Sequence, residues 1–521
     1  MKAINVLLAL VVSLLVAVLV FEGGLRLMGF GPQERLVDFH PNLGWAKKPN
    51  FEIDRSGKEY DITIRTNEYG LVDDSMESRR KPGAYRVLAL GDSFTQGFSV
   101  ERQDLFVDRL ESWWEAEGRD IDVVNAGTEA YDTAQSVTWF LEEGRDFDPD
   151  LVLLFAYEND LYWNSQAVYT TPDGDREKPR FSATGEREKM GFDPPADSGW
   201  LSTTATGKVL GKLTGGPAAT DQSFTAPSGK PAFKEFAPLL VEEPDFMADV
   251  RAHTRGALLA LQQRCEQEGI SAIVVPIPSR SVYDAGYRST VSNLYLGGVG
   301  PDQWAPDKPV ELFLELAGDV GLATLDPREA LGEGAGGDLY FEHDWHLNPE
   351  GNAVFASYLH DELDRLGAVP ATTQVAAMPE VPAREAGGTP FALKLYVGLL
   401  VFLSVLYIST YPQEPKWQPP LKIAVMLGVV FGLFIGVGKL QAALPPKISG
   451  LLAPVLLIAI LGFVAYKLGN RLGTIAELMK AFALRGHWYL MPLVIVLLTI
   501  GSLLVVAASS PLVAPFIYTL F

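Results

Sequence analysis

Between residues 85 and 366 the chain alternates short, continuous apolar runs with longer amphipathic stretches, and this alternation restricts the fold more than any other feature. The apolar runs are Tyr85–Leu90, Ile121–Asn125, Leu151–Tyr157, Ser271–Ile277 and Gly321–Leu325. The amphipathic stretches lie near 102–117, 133–145, 245–269, 308–318 and 349–366. A strand wetted on one face alternates polar and apolar residues, whereas a strand covered on both faces is apolar throughout. Unbroken runs separated by helical patterns therefore predict about five parallel strands covered by helices on both faces, a three-layer α/β/α domain. In such sheets, functional groups gather where the chain leaves the carboxyl ends of the strands.

Two regions break the alternation. Residues 165–235 are rich in Gly, Pro, Thr and charge with little periodicity, and read either as a surface insertion or as a lid over a site. Residues 368–388 read as a linker.

Hydrophobic residues make up 48% of the chain but concentrate at its ends. The run from Ile4 to Phe21 nearly spans a bilayer core of about 30 Å as a helix. No small-residue cleavage site follows it, so an uncleaved anchor is expected rather than a signal peptide. Four further runs, near 391–410, 421–439, 449–466 and 488–508, have lengths suited to spanning helices. With the N-terminus inside a bacterial cell, Lys2, Lys416, Lys422, Lys467, Arg471, Lys480 and Arg485 fall on the cytoplasmic side. Only Lys394, Lys439 and Lys447 then flank the outer ends of the C-terminal helices, so the positive-inside bias places the polar middle outside the cytoplasm. The expected organisation is an N-terminal membrane anchor (1–24), a lead-in segment (25–84), the α/β domain (85–367), the linker (368–388) and C-terminal transmembrane helices (389–521).

A formal net charge of −21 argues against nucleic acid as a partner. The single cysteine, Cys265, excludes an intrachain disulfide and a multi-cysteine zinc site.

Chemistry-bearing residues cluster where the predicted strands end. The first strand leads into Gly91-Asp92-Ser93-Phe94-Thr95-Gln96-Gly97, where a serine at a strand-to-helix turn can expose its hydroxyl. These are also ordinary turn residues, and the pattern is not the G-x-S-x-G elbow. The second strand runs into Asn125-Ala126-Gly127-Thr128-Glu129-Ala130-Tyr131, and the third into Tyr157-Glu158-Asn159-Asp160. An Asn amide at a strand end can donate to an oxyanion, although Asn-Asp is equally a turn pair. Before the last amphipathic stretch stands Glu342-His343-Asp344-Trp345-His346-Leu347-Asn348-Pro349, in which Pro349 suits a first helical turn. His346 could take a proton from Ser93 while Asp344 orients the imidazole; a metal site built on Glu342, His343 and His346 is the alternative.

In this order and placement, the four blocks resemble the SGNH/GDSL hydrolase superfamily over about residues 60–366. Gly91-Asp92-Ser93 is similar to its nucleophile block, and Asn125 with Gly127 to its glycine block. Asn159-Asp160 is similar to its asparagine block, and Asp344-Trp345-His346-Leu347-Asn348 to its acid–histidine block. The resemblance implies a flavodoxin-like domain with Ser93 as nucleophile, His346 as general base and Asp344 as its partner. The implied oxyanion hole comprises the Ser93 N–H, the Ala130 N–H and the Asn159 side chain. No cofactor and no metal is implied. Two departures stand out: Ala130 replaces the family's usual glycine, and Asp344 lies two residues before His346 where many esterases have three. The shorter spacing resembles SGNH proteins of alginate O-acetylation.

The expected function is therefore an extracytoplasmic serine esterase acting on acyl or O-acetyl esters, possible substrates including acylated glycans. An O-acyltransferase or a non-catalytic glycan-binding scaffold of the envelope is the alternative, with the lipid bilayer and envelope or polysaccharide-assembly proteins as partners. Tyr157, Tyr162, Trp163 and Trp345 could stack on sugar rings, or could simply be buried. The tail, from His487-Trp488-Tyr489-Leu490-Met491-Pro492 to Phe521, resembles a small bacterial membrane-protein family of unknown function.

Overall fold

The computed structural model describes residues 34–379 nearly continuously, except for 77–82, 172–173, 195–221 apart from 204 and 206, 334–335, 373 and 375. Beyond these it describes only residues 18, 22 and scattered positions from 396 to 428. One compact unit comprises Gln33–Asp197 and Gly216–Ala383. The other comprises Met1–Pro32, Ser198–Gly215 and Arg384–Phe521; within it Thr206 bonds Glu22, and the Tyr396 hydroxyl donates to the Ala424 carbonyl. Among the described residues no helix is long and apolar enough to cross a membrane. The apolar runs at 4–21, 449–466 and 488–508 lie almost wholly outside the described residues, and those at 391–410 and 421–439 largely so.

Two antiparallel hairpins open the large unit: β1 (Val37–His40) with β2 (Gly44–Lys47), and β3 (Glu52–Ser56) with β4 (Asp61–Arg65). The central sheet contains β5 (Tyr85–Leu90), β6 (Ile121–Asn125) and β7 (Leu151–Ala156). Short hairpins follow, β8 (Val168–Thr171) with β9 (Gly174–Glu177) and β10 (Ser223–Thr225) with β11 (Pro231–Phe233). The sheet is completed by β12 (Ser271–Pro276) and β13 (Ala323–Thr324). Its order is β13-β12-β7-β5-β6, with every pairing parallel. Counted along the chain, this is the 2-1-3-4-5 order of flavodoxin-like sheets, whose switch point lies between the first and third strands, β5 and β7.

The described α-helices are α1 (Ser93–Gln96), α2 (Phe106–Ala116), α3 (Thr133–Glu142), α4 (Glu158–Asn164), α5 (Met247–Glu268), α6 (Ala285–Tyr295), α7 (Lys308–Asp319), α8 (Arg328–Glu333) and α9 (Pro349–Leu366). Successive strand residues feed opposite layers, as the two-residue period of a strand requires. Val87, Ala89, Leu153, Phe155, Ile273 and Val275 pack with Phe106, Leu110 and Trp114 of α2 and Phe355, Leu359 and Leu363 of α9. Leu88, Leu90, Val152, Leu154 and Val274 pack on the other side with α3, α5 and α7, through Val137, Phe140, Leu258, Leu261 and Leu316. Burial on both faces is the reason these strands carry no polar alternation.

The segment expected as a lead-in is built into the core. Val37, Leu43, Trp45 and Leu71 join the second layer, and Ile62 and Ile64 form a small cluster with Leu36 and Val72. Part of the region expected as an insertion is also tied down: Lys178, fully buried, pairs with Asp132, which caps α3, and donates to the Trp163 carbonyl at 2.6 Å.

Candidate active site

Ser93 opens a single helical turn directly after β5. Asp92 caps that turn, accepting from the Phe94 N–H at 2.9 Å, and Gly97 closes it in the left-handed region. Gly91 has no room for a side chain, since a Cβ would lie 2.2 Å from Thr95 Oγ1 and 3.0 Å from the Phe155 carbonyl oxygen. The turn therefore sits low on the sheet, with the Ser93 side chain partly exposed and its neighbours buried.

His346 is 5% exposed and bridges the two other residues predicted to act with it. Its Nε2 lies 2.8 Å from Ser93 Oγ and its Nδ1 lies 2.5 Å from Asp344 Oδ1. The same Asp344 oxygen accepts the His346 backbone N–H at 3.1 Å, a contact that the two-residue spacing makes possible. The loop leads into α9, capped by Asn348, whose Oδ1 accepts from the Gly351 N–H at 2.9 Å. Burial opposes the Asp344 charge, but the adjacent His346, its backbone N–H and the Tyr60 hydroxyl together hold this carboxyl down at about 2. It is thus ionised wherever the imidazole can act as a base. Asp92, behind the imidazole, is pushed up to about 6 by burial, against the pull of the Phe94 N–H and His346.

The three groups expected to hold an oxyanion lie at the same end of the sheet. Ser93 follows β5, and Asn159 stands in the first turn of α4, after β7; Leu90 and Leu154, near the ends of these strands, are directly paired. Asn159 Oδ1 is buried with no hydrogen-bond partner among the described residues. Buried polar contacts fix α4: Thr133 Oγ1 donates to Asp160 at 3.0 Å, and Asn164 bonds the Ala134 N–H and Thr254 at 3.0 and 3.1 Å. Ala130 lies in the turn after β6 with φ +60°, in the left-handed region that favours glycine. That turn is anchored on α1. The Asn125 amide donates to the Thr95 carbonyl at 2.9 Å, its Oδ1 accepts the Gly127 N–H at 3.0 Å, and the Glu129 N–H donates to Gln96 Oε1 at 2.8 Å.

Several groups at the site lie outside the sequence motifs. Phe98 stacks on the His346 ring with centroids 5.1 Å apart, and the Arg55 guanidinium lies over the Phe98 ring, 3.7 Å from its centroid. Ser99 Oγ lies 3.3 Å from His346 Nδ1 and 3.4 Å from Asp344 Oδ2, and the Tyr60 hydroxyl donates to Asp344 Oδ2 at 3.1 Å. Phe98 and Ser99 follow the serine motif closely enough for proximity alone to have suggested them. Nothing in the sequence joins Arg55 to Phe98 or Tyr60 to Asp344.

Of the aromatic residues expected near the site, Tyr157, Tyr162 and Trp163 are buried packing residues, whereas Trp345 is 48% exposed beside His346. A metal held by Glu342, His343 and His346 would compete with the contacts at both His346 ring nitrogens. Among the described residues the group whose ligand atoms do come within reach of one another is instead Glu117, His360 and Asp364, and there Arg119 already pairs with Glu117 at 2.8 Å and with Asp364 at 2.5 Å.

Residues 472–521 match a family of unknown function, DUF5989. No curated protein matches the chain. Among solved structures, it is similar to a lipase/acylhydrolase from Enterococcus faecalis, at 14% identity and a TM-score of 0.29, over 54% of this chain and 96% of that one. It is likewise similar to a psychrotrophic esterase, EstA, from Pseudoalteromonas sp., at 12% identity and a TM-score of 0.28, over 55% of this chain and 99% of that one. A third similar structure is the acetyl xylan esterase AlAXEase, at 13% identity and a TM-score of 0.29, over 53% of this chain and 99% of that one.

Proposed function

We propose that this chain is a serine ester hydrolase that works through an acyl-Ser93 intermediate. The observation that carries the reading is the bridge made by His346, 2.8 Å from Ser93 Oγ and 2.5 Å from Asp344. Nε2 takes the Ser93 proton as Oγ attacks the ester carbonyl. The resulting tetrahedral oxyanion is met by the Ser93 and Ala130 N–H groups and the Asn159 amide. Collapse breaks the bond to the alcohol oxygen, which receives the proton from His346 and leaves. Water then repeats the sequence, giving its proton to His346 and its oxygen to the acyl carbon, and the proton returns to Ser93 as the acid departs. Asp344 stays ionised throughout and stabilises the imidazolium.

The apolar runs and the Lys/Arg bias support a membrane anchor with the hydrolase unit outside a bacterial cytoplasm. A short acyl group, such as O-acetyl on an envelope or exported glycan, suits a site with a partly exposed serine and an exposed Trp345 at its edge.

The test uses the full-length protein in detergent, with Ser93→Ala and His346→Ala beside wild type, and follows acid release from short-chain acyl esters. Each substitution should cost roughly 10³–10⁶ in kcat. Turnover that survives Ser93→Ala would sink the reading. A product that forms only with added glycan acceptor would turn the same chemistry from hydrolysis to acyl transfer.

A further inference from the structure

The β3–β4 hairpin, which contributes nothing to the central sheet, ends over the acid–histidine loop. Both Glu59 carboxylate oxygens are used there, accepting from the backbone N–H groups of Glu342 at 2.8 Å and His343 at 2.7 Å. The Tyr60 ring packs against Phe341 with centroids 5.6 Å apart. It also folds back over the turn: a Cβ on Gly57 would lie 2.6 Å from Tyr60 Cζ. The hydroxyl at the end of this held ring points to Asp344 Oδ2.

The Asp344 carboxylate has two oxygens with different duties. Oδ1 serves His346 twice, at Nδ1 and at the backbone N–H. Oδ2 faces the Tyr60 hydroxyl at 3.1 Å and, less closely, Ser99 Oγ at 3.4 Å. Rotation about the terminal carboxylate bond is soft and roughly two-fold. The backbone cannot prevent it, because one cap contact at Oδ1 leaves the other oxygen free to swing. A donor on Oδ2 removes that freedom. Tyr60 remains a donor across the working range, since burial and the neighbouring Asp344 charge push its hydroxyl up to about 12.

We propose that Tyr60 is a positioning residue of the active site, its hydroxyl clamping Asp344 Oδ2 so that Oδ1 stays on His346. This rests on the Ser93–His346–Asp344 reading and makes the hairpin a working part of the site. The clamp has an electrostatic signature as well as a geometric one. The hydroxyl dipole turns its positive end toward Asp344 and so reduces the negative field at His346. Without it the imidazolium is more strongly favoured, and the acidic limb of the rate profile moves to higher pH. The other charged and titratable groups facing this pair are Asp92 behind His346, Arg55 toward Tyr60, Tyr287 toward Asp344, and Glu59, Glu342 and His343 on the adjoining turns. All of them are retained when only the Tyr60 hydroxyl is removed.

The experiment compares full-length wild type with Tyr60→Phe, reading kcat and KM for a short-chain acyl ester from about pH 5 to 9. We expect kcat to fall by about 10-fold with KM little changed, and the acidic limb to move up. Glu59→Ala, which loosens the loop and takes a negative charge away from beside it, should lower thermal stability without moving the limb upward. A ring-fluorinated tyrosine at position 60, a stronger donor with the same packing, should move the limb down and covers the case in which Tyr60→Phe does not fold. An unmoved limb in Tyr60→Phe, or the same limb movement in Glu59→Ala, overturns the proposal. The far-downfield proton resonance of His346 Nδ1–H gives a readout independent of turnover. It should shift or broaden in Tyr60→Phe, and its persistence unchanged overturns the clamp even where Ser93→Ala has already shown the esterase reading to be wrong.

Discussion

Gly127 is the point at which the fold and the chemistry are most tightly joined, and Gly127→Ala tests that junction. A Cβ there would lie 2.4 Å from the Gln96 backbone nitrogen and 2.6 Å from the Thr95 carbonyl carbon. Ordinary contact needs about 1 Å more, and both clashing atoms belong to the backbone of α1 rather than to a side chain that can swing away. The α1 turn cannot retreat into the sheet, because Gly91 already packs against the Phe155 carbonyl. It must instead shift as a unit, carrying Ser93 with it. Overpacking of this kind costs about 1–3 kcal/mol of stability. Misplacement of a reacting group by about 1 Å can cost about 10²-fold in rate, and that loss should fall on kcat. Urea unfolding and steady-state ester hydrolysis measure the two effects separately. Gly367→Ala is the control: Gly367 caps α9 at φ +63° with no atom near its Cβ position, so alanine there should lower stability by about 1 kcal/mol and leave kcat intact. A Gly127→Ala protein that loses stability but keeps wild-type kcat would refute the argument that this glycine sets the position of Ser93.

Ala130→Gly should stabilise the unit by about 0.5–1 kcal/mol in urea unfolding, because Ala130 holds φ +60° where glycine is unstrained. Burial pushes Glu111 up to about 8, against the Val123 N–H it accepts, and pushes Asp108 up to about 7 against the neighbouring Arg102. Folded-state values above the unfolded ones mean that the folded protein binds more protons, so the stability from these groups is full below about pH 4 and lost as pH rises toward 8. Glu111→Gln should therefore flatten the fall in urea midpoint between about pH 5 and 8 and raise stability by roughly 1–3 kcal/mol at the upper end; an unchanged slope would count against it. Lys178→Met leaves Asp132 buried without its cation and should cost about 3–5 kcal/mol, read as a drop in unfolding midpoint. A near-neutral result would mean that the chain around Lys178 is dispensable to the fold.

Local pattern was enough to reveal the layered sheet. Runs such as Val87-Leu88-Ala89-Leu90 and Leu151-Val152-Leu153-Leu154 are apolar at every position because each residue is buried on one face or the other, and burial on both faces is written into the residues themselves. The serine and asparagine motifs were legible because each follows a strand end marked by its own neighbours, and the histidine motif because it leads directly into the helix that Pro349 opens. Strand order was not legible in the apolar runs themselves and was implied only by the family resemblance, since the placement of β7 beside β5 depends on how separate runs meet. Neither was the clamp on the acid. Tyr60 and Asp344 are separated by 284 positions, and their contact depends on a hairpin docking against a loop. Short-range periodicity reports whether a residue is buried, but not what it is buried against. That second question was decided by tertiary packing, which also made Phe98 the face on which His346 rests and Gly127 the seat of the serine turn.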